Sequence, residues 1–585
     1  MKNITLLFSL LIPFFLAGQN DLPRGMAPHE WSFLESGLYD FPEELDGITD
    51  PPPHPVRTMA EWEELQTLVV TWTSYKSILA QIIEYAKEEC EVLVVCQDSS
   101  EVKYELTNNY FLPDLDNVSF LEAPYNSIWI RDYGPNCVYA NDVDSLYIID
   151  WIYNRPRPKD DLIPQKVGDH MGITVYSTTE APNDLVHTGG NFIPDGMGTA
   201  FSEELLLDEN GFNNDFGVTP KSESEVDQIM DSFMGIDRYV KVTNLLYDGI
   251  NHIDMHWYLL DEETILVGEY PEGVADGPQI EANLEYVLNN YDSPFGTPYK
   301  VVRIQMPPSA NGNYPPAGAY RTYTNLLFIN KTVLVPVYAS QYDYENLEIL
   351  RAQLPGYKVH GIDCNGIINA LGALHCITKP IGVADPLLIQ HQPLEDVVDT
   401  FEPFEVNATL QHRSGISSAN LYFTTDTTQG YSSVAMSLTN ADENTWTGYI
   451  PGQFAPTEVF YYVEGVANSG KTIARPMPAP AGYWNFNVDF STSTSELSLS
   501  STTMEAIFPN PASAITCIPL ESAEALEGTL ELVDMLGRTA HVIHSGLIPQ
   551  GSSKYFIMAQ DFEAGTYFVR LQTEKEQQVQ KVIIR

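Results

Sequence analysis

Between residues 57 and 383, short runs of β-branched residues alternate with stretches of helical character, and few folds accommodate this order of elements. The pattern predicts strands at residues 67–72 and 91–96, and helices at residues 75–90 and 222–234. Strands and helices that alternate in this way are typical of an α/β domain. We therefore predict an α/β domain across this region, although the sequence shows no internal repeat.

The pattern changes after Pro380, because residues 384–490 carry only short alternating segments separated by turn residues. The segments predicted as strands include residues 407–412, 419–424, 445–449 and 459–463. Strands at this density predict an immunoglobulin-like sandwich of seven strands. A Ser/Thr-rich run at residues 491–503 predicts a flexible linker, and a last, small all-β unit is expected at residues 504–585.

The N-terminus has the features of a signal peptide. Met1 and Lys2 precede an apolar run at residues 4–17, which is followed by small and polar residues. We predict a signal peptide at residues 1–18, with a buried N-terminal element as the alternative. The run is shorter than the ~20 apolar residues that span a membrane, and no other segment is long enough. Residues 19–56 are rich in proline, which predicts an extended pro-segment or linker.

The charge of the chain limits its partners. It contains 30 basic and 79 acidic residues, which gives a formal net charge of −49. Binding to nucleic acid through phosphate needs clusters of Lys and Arg, so a nucleic-acid partner is not expected. An anionic membrane surface is an equally poor partner. A cationic substrate, by contrast, would be attracted.

Six cysteines in 585 residues do not form the framework of a disulfide-rich domain. Cys90 and Cys96 are close enough in sequence to form a pair on either side of a predicted strand. At least one cysteine is expected to remain free, and Cys376 is the one that matters for chemistry.

Four local clusters in the α/β region could carry chemistry: residues 129–135, 187–191, 251–256 and 372–376. None is specific by itself. Arg131 and Asp132 beside a Gly-Pro turn are more often a structural ion pair. Gly189 and Gly190 lack the spacing of a dinucleotide-binding loop, so we exclude that motif.

His252, Asp254 and His256 would share one face if this segment were a strand. Three interpretations remain open: a metal site, an acid/base histidine beside a substrate-binding carboxylate, and a solvated polar face. A lone cysteine such as Cys376 is usually a small buried hydrophobic residue, so it is a weak candidate nucleophile by itself.

Together, a cysteine, a histidine and two carboxylates suit attack on a guanidinium carbon. Carboxylates hold this planar cation by paired, charge-assisted hydrogen bonds. A thiolate attacks the central carbon, and a histidine protonates the departing nitrogen and later deprotonates the hydrolytic water. The clusters therefore favour guanidinium chemistry over each of their separate interpretations.

In this order, the clusters resemble the motifs of the guanidino-group-modifying superfamily, and within it the bacterial peptidylarginine deiminase and agmatine deiminase branch. The resemblance rests on residues 59–63, 129–135, 189–191 and 375–376, and it covers roughly residues 57–383. It implies a five-bladed, pseudo-symmetric α/β propeller with the active site on its axis. It also implies hydrolysis of arginine to citrulline and ammonia through a covalent thiouronium intermediate, without a metal or other cofactor.

The resemblance also assigns roles to individual residues. Cys376 would be the nucleophile and His252 the acid/base. Asp132 and Asp254 would hold the guanidinium. Further active-site or substrate-side positions would be Asn325, Trp129 and Asp195.

Arg155 and Arg157 resemble an Arg-Pro-Arg element that binds the α-carboxylate of a C-terminal arginine in the peptidylarginine branch. Two guanidinium groups can bind one carboxylate in this way, whereas agmatine has no carboxylate. The alternative is that the two arginines pair with surface acids such as Asp160 and Asp161. The branch has a tyrosine three residues before the catalytic histidine, and here that position is Gly249.

The C-terminal residues resemble a type IX secretion sorting domain. The resemblance rests on residues 507–512, 532–538, 565–570 and 581–585. It implies that the type IX secretion machinery is a partner, and that the protein is secreted or attached to the outer surface of the cell. The natural peptide or protein substrates would contain arginine.

The leading hypothesis is therefore a secreted deiminase that acts on C-terminal peptidyl-arginine. The alternatives are a deiminase of agmatine or free arginine, a surface adhesin without activity, and a metallohydrolase that uses His252, Asp254 and His256.

Overall fold

The computed structural model describes residues 22–36, 47–398, 402–489, 502–535, 537–573 and 577–585. The predicted signal peptide and most of the predicted linker at residues 491–503 lie outside these ranges. The chain divides into two compact units, one that ends at Asp489 and one that begins at Phe490.

The first unit begins with a helix that the proline-rich sequence did not predict. Helix α1 spans Pro28–Glu35 and starts with proline at its first position, where the ring costs no hydrogen bond. The buried Glu30 carboxylate accepts a hydrogen bond of 2.7 Å from the backbone N–H of Ala27 and so caps this end. The prediction of an extended segment is therefore wrong for these residues.

The strands up to residue 382 are short. In chain order they are β1 (Val56–Thr58), β2 (Leu65–Thr71), β3 (Glu91–Cys96), β4 (Val118–Glu122), β5 (Asn136–Ala140), β6 (Leu146–Tyr153), β7 (Thr174–Thr178), β8 (Val186–His187), β9 (Ile193–Pro194), β10 (Thr199–Glu203), β11 (Arg238–Val242), β12 (Trp257–Leu259), β13 (Thr264–Glu269), β14 (Lys300–Gln305), β15 (Leu327–Ile329), β16 (Thr332–Val337), β17 (Lys358–Asp363) and β18 (Lys379–Gly382).

The helices that follow α1 lie between these strands. They are α2 (Lys76–Ala86), α3 (Ser99–Asn108), α4 (Ile130–Tyr133), α5 (Ile163–Met171), α6 (Leu205–Asn210), α7 (Glu223–Met234), α8 (Gly277–Asn290) and α9 (Ser340–Gln353).

The strands form five small sheets with the same internal order. Each sheet contains two parallel strands that are joined through a helix. The first of these two strands also pairs, along its other edge, with an antiparallel strand. The parallel pairs are β2–β3, β6–β7, β10–β11, β13–β14 and β16–β17. The antiparallel partners are β18, β5, β9, β12 and β15. Because β18 pairs with β2, the end of the domain completes the first sheet.

The helices cover the sheets with apolar faces. In α2 the buried residues include Ile78, Leu79, Ile82 and Ile83, which recur at the spacing of one helical face. The helix ends at Ala86, four residues before the predicted end, because a turn at residues 87–90 leads into β3. Strand β3 is buried over five consecutive residues, as expected for a parallel strand that is covered on both faces.

All six cysteines lie in described residues, and all six are free and buried. Cys90 and Cys96 stand at opposite ends of β3. At about 3.3 Å per residue they are separated by roughly 20 Å, far beyond the reach of a disulfide. The two cysteines therefore do not pair, although their spacing in the sequence allowed it, because the segment between them is extended.

Residues 388–489 form two further sheets that share one hydrophobic core. Strand β21 alternates buried and exposed residues, so one of its faces packs on that core. The described residues contain ten strands rather than the predicted seven, because several short strands extend the sheets. They are β19 (Leu388–His391), β20 (Val397–Val398), β21 (Phe404–Gln411), β22 (Ile416–Thr424), β23 (Ser432–Ala435), β24 (Ser437–Asn440), β25 (Thr445–Ile450), β26 (Thr457–Ala467), β27 (Thr472–Arg475) and β28 (Trp484–Asp489).

The second unit is all-β and has its own hydrophobic core. Its strands form sheets of three and four strands, in the orders β29-β30-β33 and β32-β31-β34-β35. They are β29 (Thr502–Met504), β30 (Ile515–Ser522), β31 (Leu526–Val533), β32 (Thr539–Ile548), β33 (Gly551–Met558), β34 (Gly565–Thr573) and β35 (Gln577–Ile584). Across the described parts of both units, no helix has the length and apolar character needed to cross a membrane.

Two glycines that end helices provide a matched test of packing in the first unit. Gly172 follows α5 and Gly235 follows α7, and both have a left-handed backbone, with φ of 69° and 65°. A Cβ on Gly172 would meet no atom within 4 Å, whereas a Cβ on Gly235 would lie 1.8 Å from the carbonyl oxygen of Val56. The two positions therefore differ in available space and not in conformation.

We expect Gly172→Ala to lower the free energy of unfolding by about 1 kcal/mol, the cost of a left-handed alanine. Gly235→Ala should lower it by about 2–4 kcal/mol, because overpacking adds to that cost. Chemical denaturation of both variants measures the difference. Equal losses would show that β1 moves aside freely.

Candidate active site

The four clusters found in the sequence meet in the first unit. They lie on short turns between strands: α4, with Trp129 immediately before it, and the single 3-10 turns Gly189–Asn191, Ile253–Met255 and His375–Ile377. Close approaches join them. The amide oxygen of Asn191 accepts a 3.3 Å hydrogen bond from the backbone N–H of Ile253. A Cβ on Gly372 would lie 2.5 Å from the Trp129 ring and 3.0 Å from the sulfur of Cys376.

A guanidinium group lies at the centre of these turns, and it belongs to Arg24. Its Nε and Nη2 donate to the two oxygens of Asp132, each at 2.9 Å. Its Nη1 and Nη2 donate to the two oxygens of Asp254, each at 3.0 Å. All three side chains are at most 1% exposed. One cation is thus held by two carboxylates through four charge-assisted hydrogen bonds.

The guanidinium fits only because residue 190 is glycine. A Cβ at Gly190 would lie 1.6 Å from Nη2 of Arg24 and 2.7 Å from Oδ1 of Asp132. Any side chain at this position would therefore fill the space between the carboxylates. The Gly-Gly pair found in the sequence serves this close approach rather than a nucleotide.

Cys376 lies beside the carboxylates and is completely buried. Its sulfur is 3.3 Å from the amide oxygen of Asn325 and 3.7 Å from Oδ2 of Asp254. The backbone N–H of Ala373 donates to the sulfur at 3.4 Å. Burial raises the pKa of the Cys376 thiol well above its usual range, while the charge of Arg24 acts in the opposite direction.

His252 lies on the Asp132 side of the guanidinium. Its Nδ1 is 3.6 Å from Oδ1 of Asp132, the same oxygen that accepts from Nη2 of Arg24. Neither ring nitrogen has a hydrogen-bond partner among the described residues. Burial, and then the positive charges of Arg24 and Arg155, lower the pKa of His252 well below its usual range. The imidazole is therefore neutral near pH 7 and able to accept a proton.

Asn325 holds the cysteine turn in place. Its amide oxygen accepts from the backbone N–H of His375 at 3.1 Å as well as from the Cys376 thiol. Its Nδ2 donates to the backbone oxygen of Asp254 at 3.3 Å. The side chain therefore links the turn that carries the thiol to the turn that carries a carboxylate.

A chain of buried charged groups supports Asp254, and the sequence analysis did not assign it. Nδ1 of His375 lies 2.8 Å from Oδ2 of Asp254, and Nε2 lies 3.3 Å from Oε1 of Glu61. Glu61 is in turn paired with Arg131 at 2.7 Å. Burial opposes ionisation of Glu61, but the charges of Arg131 and His375 outweigh it and lower the pKa. Glu61 and His375 lie inside the motifs at residues 59–63 and 375–376, and their place in these motifs is the feature of the sequence that could have identified them.

Asp248 is a further acid near Arg24 that the sequence analysis did not assign. It is 1% exposed, and neither of its side-chain oxygens has a hydrogen-bond partner among the described residues. Burial raises its pKa to about 7, against the charge of Arg24. Asp248 lies just before the cluster at residues 251–256 and belongs to none of the four motifs, so nothing in the sequence singled it out.

Arg155, Arg157 and Trp129 contact the main chain on both sides of Arg24. Nε of Arg155 donates to the carbonyl oxygen of Arg24 at 3.0 Å. Nη2 of Arg157 donates to the carbonyl oxygens of Pro23 and Gly25, at 2.8 and 3.1 Å, and Nε1 of Trp129 donates to that of Leu22 at 2.8 Å. These three side chains thus bind a peptide backbone.

The alternative pairing of the two arginines with Asp160 and Asp161 is not the one observed. Asp160 accepts hydrogen bonds from Ser127 and from the backbone N–H groups of residues 126 and 127, and Asp161 accepts from the backbone of Tyr153. The carboxylate that pairs with Arg157 is Glu30, with the shortest N–O distance at 2.7 Å.

Asp195 lies apart from this group, so its expected place on the substrate side is corrected. It begins the tight turn between β9 and β10, where Oδ1 accepts from the backbone N–H groups of Met197 and Thr199 at 2.7 and 2.9 Å. Burial raises its pKa to about 6. The carboxylate is committed to the turn because the antiparallel pairing of the two strands leaves only residues 195–198 to connect them.

The segment around His252 is not a strand, so its alternating residues do not share a face. His252 and Asp254 face the Arg24 guanidinium, whereas Nδ1 of His256 lies 3.6 Å from Oε1 of Glu203. In the described ranges, no group of three or more His, Cys, Asp or Glu residues has the geometry to hold a metal ion. Tyr247 is 44% exposed and is not among the residues that surround Arg24.

Gly249 instead borders open space beside the bound segment. It lines a cavity of about 380 Å³, together with Gly25, Met26 and Arg155. Its carbonyl oxygen would lie 3.7 Å from a Cβ on Gly25. The position at which the resemblance led us to expect a tyrosine is thus a glycine beside open space.

Comparisons with known proteins agree with the motifs. Residues 57–381 match the family model of the Porphyromonas-type peptidyl-arginine deiminase, and residues 506–585 match the secretion system C-terminal sorting domain. The second match indicates that the protein is secreted or located at the cell surface, as predicted.

Two relatives carry the name "Putative agmatine deiminase". The protein from Mycoplasma capricolum subsp. capricolum is 25% identical over 292 residues, which cover 45% of this chain and 77% of the relative. The one from Vibrio parahaemolyticus is 25% identical over 294 residues, which cover 45% and 78%. An X-ray structure of a protein of the same name has a TM-score of 0.50 at 19% identity, covering 58% of this chain and 99% of that protein, which shows a shared fold.

The model match at residues 57–381 spans more than half of the chain and includes every turn that surrounds the guanidinium. The predicted family is confirmed: the chain belongs to the Porphyromonas-type peptidyl-arginine deiminase family, whose members are hydrolases that act on guanidino C–N bonds.

Proposed function

We propose that this protein is a secreted deiminase that converts peptidyl-arginine to citrulline and ammonia. The observation that carries the proposal is the position of Arg24. Its guanidinium lies between Asp132 and Asp254 beside Cys376, while its carbonyl oxygen accepts a hydrogen bond from Arg155. The site thus binds an arginine at both ends, through the reacting group and through the backbone.

The arrangement supports a two-step hydrolysis in which the substrate guanidinium takes the place of that of Arg24. The Cys376 thiol gives its proton to the neutral His252 as the sulfur forms a bond to the central carbon. The bond to one terminal nitrogen then breaks, and ammonia leaves with that proton from His252. Water then attacks the resulting thiouronium carbon, His252 accepts a proton from it, and the sulfur leaves as a thiolate. The sum is arginine and water to citrulline and ammonia, and the enzyme is regenerated.

Each residue in this proposal has a reason in the geometry. Asp132 and Asp254 fix the plane of the guanidinium, which brings its carbon to the thiol. The bound cation also favours the thiolate, since its charge opposes the effect of burial on the pKa of Cys376. His252 lies beside Oδ1 of Asp132, which accepts from Nη2, the nitrogen shared between the carboxylates, so we assign that nitrogen as the leaving group.

Peptidyl-arginine is the substrate class that accounts for Arg155. Agmatine has no carbonyl group next to the carbon chain, and Arg155 would then lack the acceptor that it binds here. Within this class we propose a C-terminal arginine as the preferred substrate, because Arg155 donates to the carbonyl oxygen of Arg24 and Arg157 pairs with a carboxylate of the same segment, Glu30. Agmatine remains the second candidate, since the named relatives carry that activity in their names.

The rest of the architecture fits the proposal. We assign the five sheets of residues 56–382 as the five blades of an α/β propeller, because all five repeat one strand order and β18 completes the first. We assign residues 384–490 as an immunoglobulin-like domain and the C-terminal residues as the signal for the type IX machinery. A purely adhesive role would not require a thiol, a neutral histidine and two carboxylates around one guanidinium.

The role of Cys376 is tested in a chain that carries Arg24→Gln, so that the site is free for added substrate. We expect Cys376→Ala in this background to lower citrulline release by at least about 1,000-fold, as for loss of a nucleophile. Cys96→Ala, which removes another buried cysteine away from the site, should leave the rate unchanged. A comparable loss in both variants would contradict the assignment of the nucleophile.

The substrate class is tested by Arg155→Ala and Arg157→Ala in the same background. Loss of a hydrogen bond to a charged group costs about 1.5–3 kcal/mol, so kcat/KM for a peptide that ends in arginine should fall by about 10–150-fold. Agmatine turnover should stay within about twofold. The matching peptide amide shows whether the terminal carboxylate matters. Equal losses on peptide and agmatine would reject the peptidyl-arginine assignment.

A further inference from the structure

We propose that residues 22–30 are an intramolecular ligand that imitates the arginine substrate and keeps the active site closed until the segment is displaced. The inference rests on the proposed function, since it identifies this site as the one that binds substrate. It assigns a specific role to a stretch whose sequence predicted only an extended pro-segment or linker.

The first argument is that Arg24 fills the guanidinium site completely. Both oxygens of Asp132 and both oxygens of Asp254 accept hydrogen bonds from it. The space above Gly190 is taken by its Nη2. A second guanidinium has no oxygen of Asp132 or Asp254 to bind, so an external substrate cannot take this position while Arg24 remains.

The second argument is that the backbone of the segment is bound as a peptide ligand would be. The backbone N–H of Arg24 donates to the carbonyl oxygen of Ala370 at 3.0 Å. Four consecutive carbonyl groups, from Leu22 to Gly25, accept hydrogen bonds from side chains of the site. Main-chain contacts of this kind do not depend on the neighbouring side chains, so they would serve an external peptide equally well.

The third argument is that Glu30 occupies the second half of the proposed substrate site. Its carboxylate accepts from Nε and Nη2 of Arg157 at 2.7 and 3.0 Å, the paired geometry expected for a substrate carboxylate. Burial opposes ionisation of Glu30, but the hydrogen bond and charge of Arg157 outweigh it and lower its pKa. Arg24 and Glu30 thus supply, from one segment, both the guanidinium and the carboxylate.

The connection to the rest of the chain makes this occupant effective. A tethered ligand acts at an effective concentration on the order of millimolar, so an external peptide must compete with it at every encounter. Its guanidinium is also enclosed: Arg24 and Asp254 side chains are 0% exposed and that of Asp132 is 1%. Because the guanidinium is buried and every oxygen of the two carboxylates is occupied, the segment blocks the site for an external arginine.

The first experiment measures access to Cys376 in the chain of residues 19–585, by iodoacetamide alkylation mapped to each cysteine by mass spectrometry. We expect Arg24→Gln to increase the alkylation rate of Cys376 by at least about tenfold, as for loss of an occupant held at millimolar effective concentration. Glu30→Gln should give a smaller increase. His29→Ala, an exposed position on the same helix, is the matched control and should equal the wild type.

Alkylation of Cys96 in the same samples reports on folding, because that thiol is buried in β3. An increase at Cys376 without an increase at Cys96 supports release of the segment. Unchanged alkylation of Cys376 in Arg24→Gln would overturn the inference. A parallel increase at both cysteines would also count against it, since it would indicate general loosening.

Turnover separates this inference from the proposed function. We expect Arg24→Gln to release citrulline from arginine peptides on the order of 100-fold faster than the wild type. If Cys376 becomes accessible but no variant turns over any substrate, the proposed function fails and the intramolecular ligand stands. If the wild type and Arg24→Gln turn over substrate equally fast, the inference fails and the proposed function stands.

A synthetic peptide with the sequence of residues 22–31 tests the binding in trans. It should slow alkylation of Cys376 in the Arg24→Gln chain, and the same peptide with glutamine in place of its arginine should not. Equal protection by both peptides, or by neither, would overturn the inference. The mass of residue 24 in the wild-type chain should remain that of arginine, and its conversion to citrulline would show that the segment is consumed as a substrate instead.

Discussion

Two buried carboxylates that face each other dominate this site. Asp132 and Asp254 are almost fully enclosed, and two negative charges in such a place are tolerated only with a cation between them. A planar guanidinium with several N–H donors satisfies all four oxygens at once, which a point charge such as an ammonium cannot do. The need to neutralise this pair therefore accounts for the guanidinium that lies between the carboxylates and for the glycine at position 190 that leaves room for it.

The architecture explains how such a site is assembled from distant residues. Every group that touches the guanidinium stands on a short turn between strands, where backbone direction changes within three or four residues. The five sheets bring these turns together, and a chain of buried partners from Arg131 through Glu61 and His375 fixes one of the two carboxylates. Loss of one member of this chain would leave a buried group without its partner, which is costly. The chain therefore holds Asp254 in one position.

Local sequence predicted the parts of the molecule that depend on local chemistry. The helix predicted at residues 222–234 is α7, and Ser222 with Glu225 forms its capping box. The other elements predicted before residue 383, at residues 67–72, 75–90 and 91–96, correspond to β2, α2 and β3. Asp195 was placed in the wrong environment, because motif spacing does not show that a carboxylate is used by its own turn. Arg24 carried no signal at all, since its partners are 108 and 230 residues away and a proline-rich stretch predicts only extended chain.

The same interaction that would select a substrate also explains why the protein's own arginine is found there. In a chain with 79 acidic and only 30 basic residues, most arginines have an acidic partner nearby, as Arg303 has Glu281 at the surface. Moving such an arginine into the active site would gain little free energy, because it would lose the acidic partner that it already has. Arg24 differs, because its backbone is held on both sides by donors of the site, and Glu30, six residues further along the chain, pairs with Arg157. The hydrogen bonds to the backbone of this segment, in addition to those to its guanidinium, thus distinguish Arg24 from the other arginines of the chain.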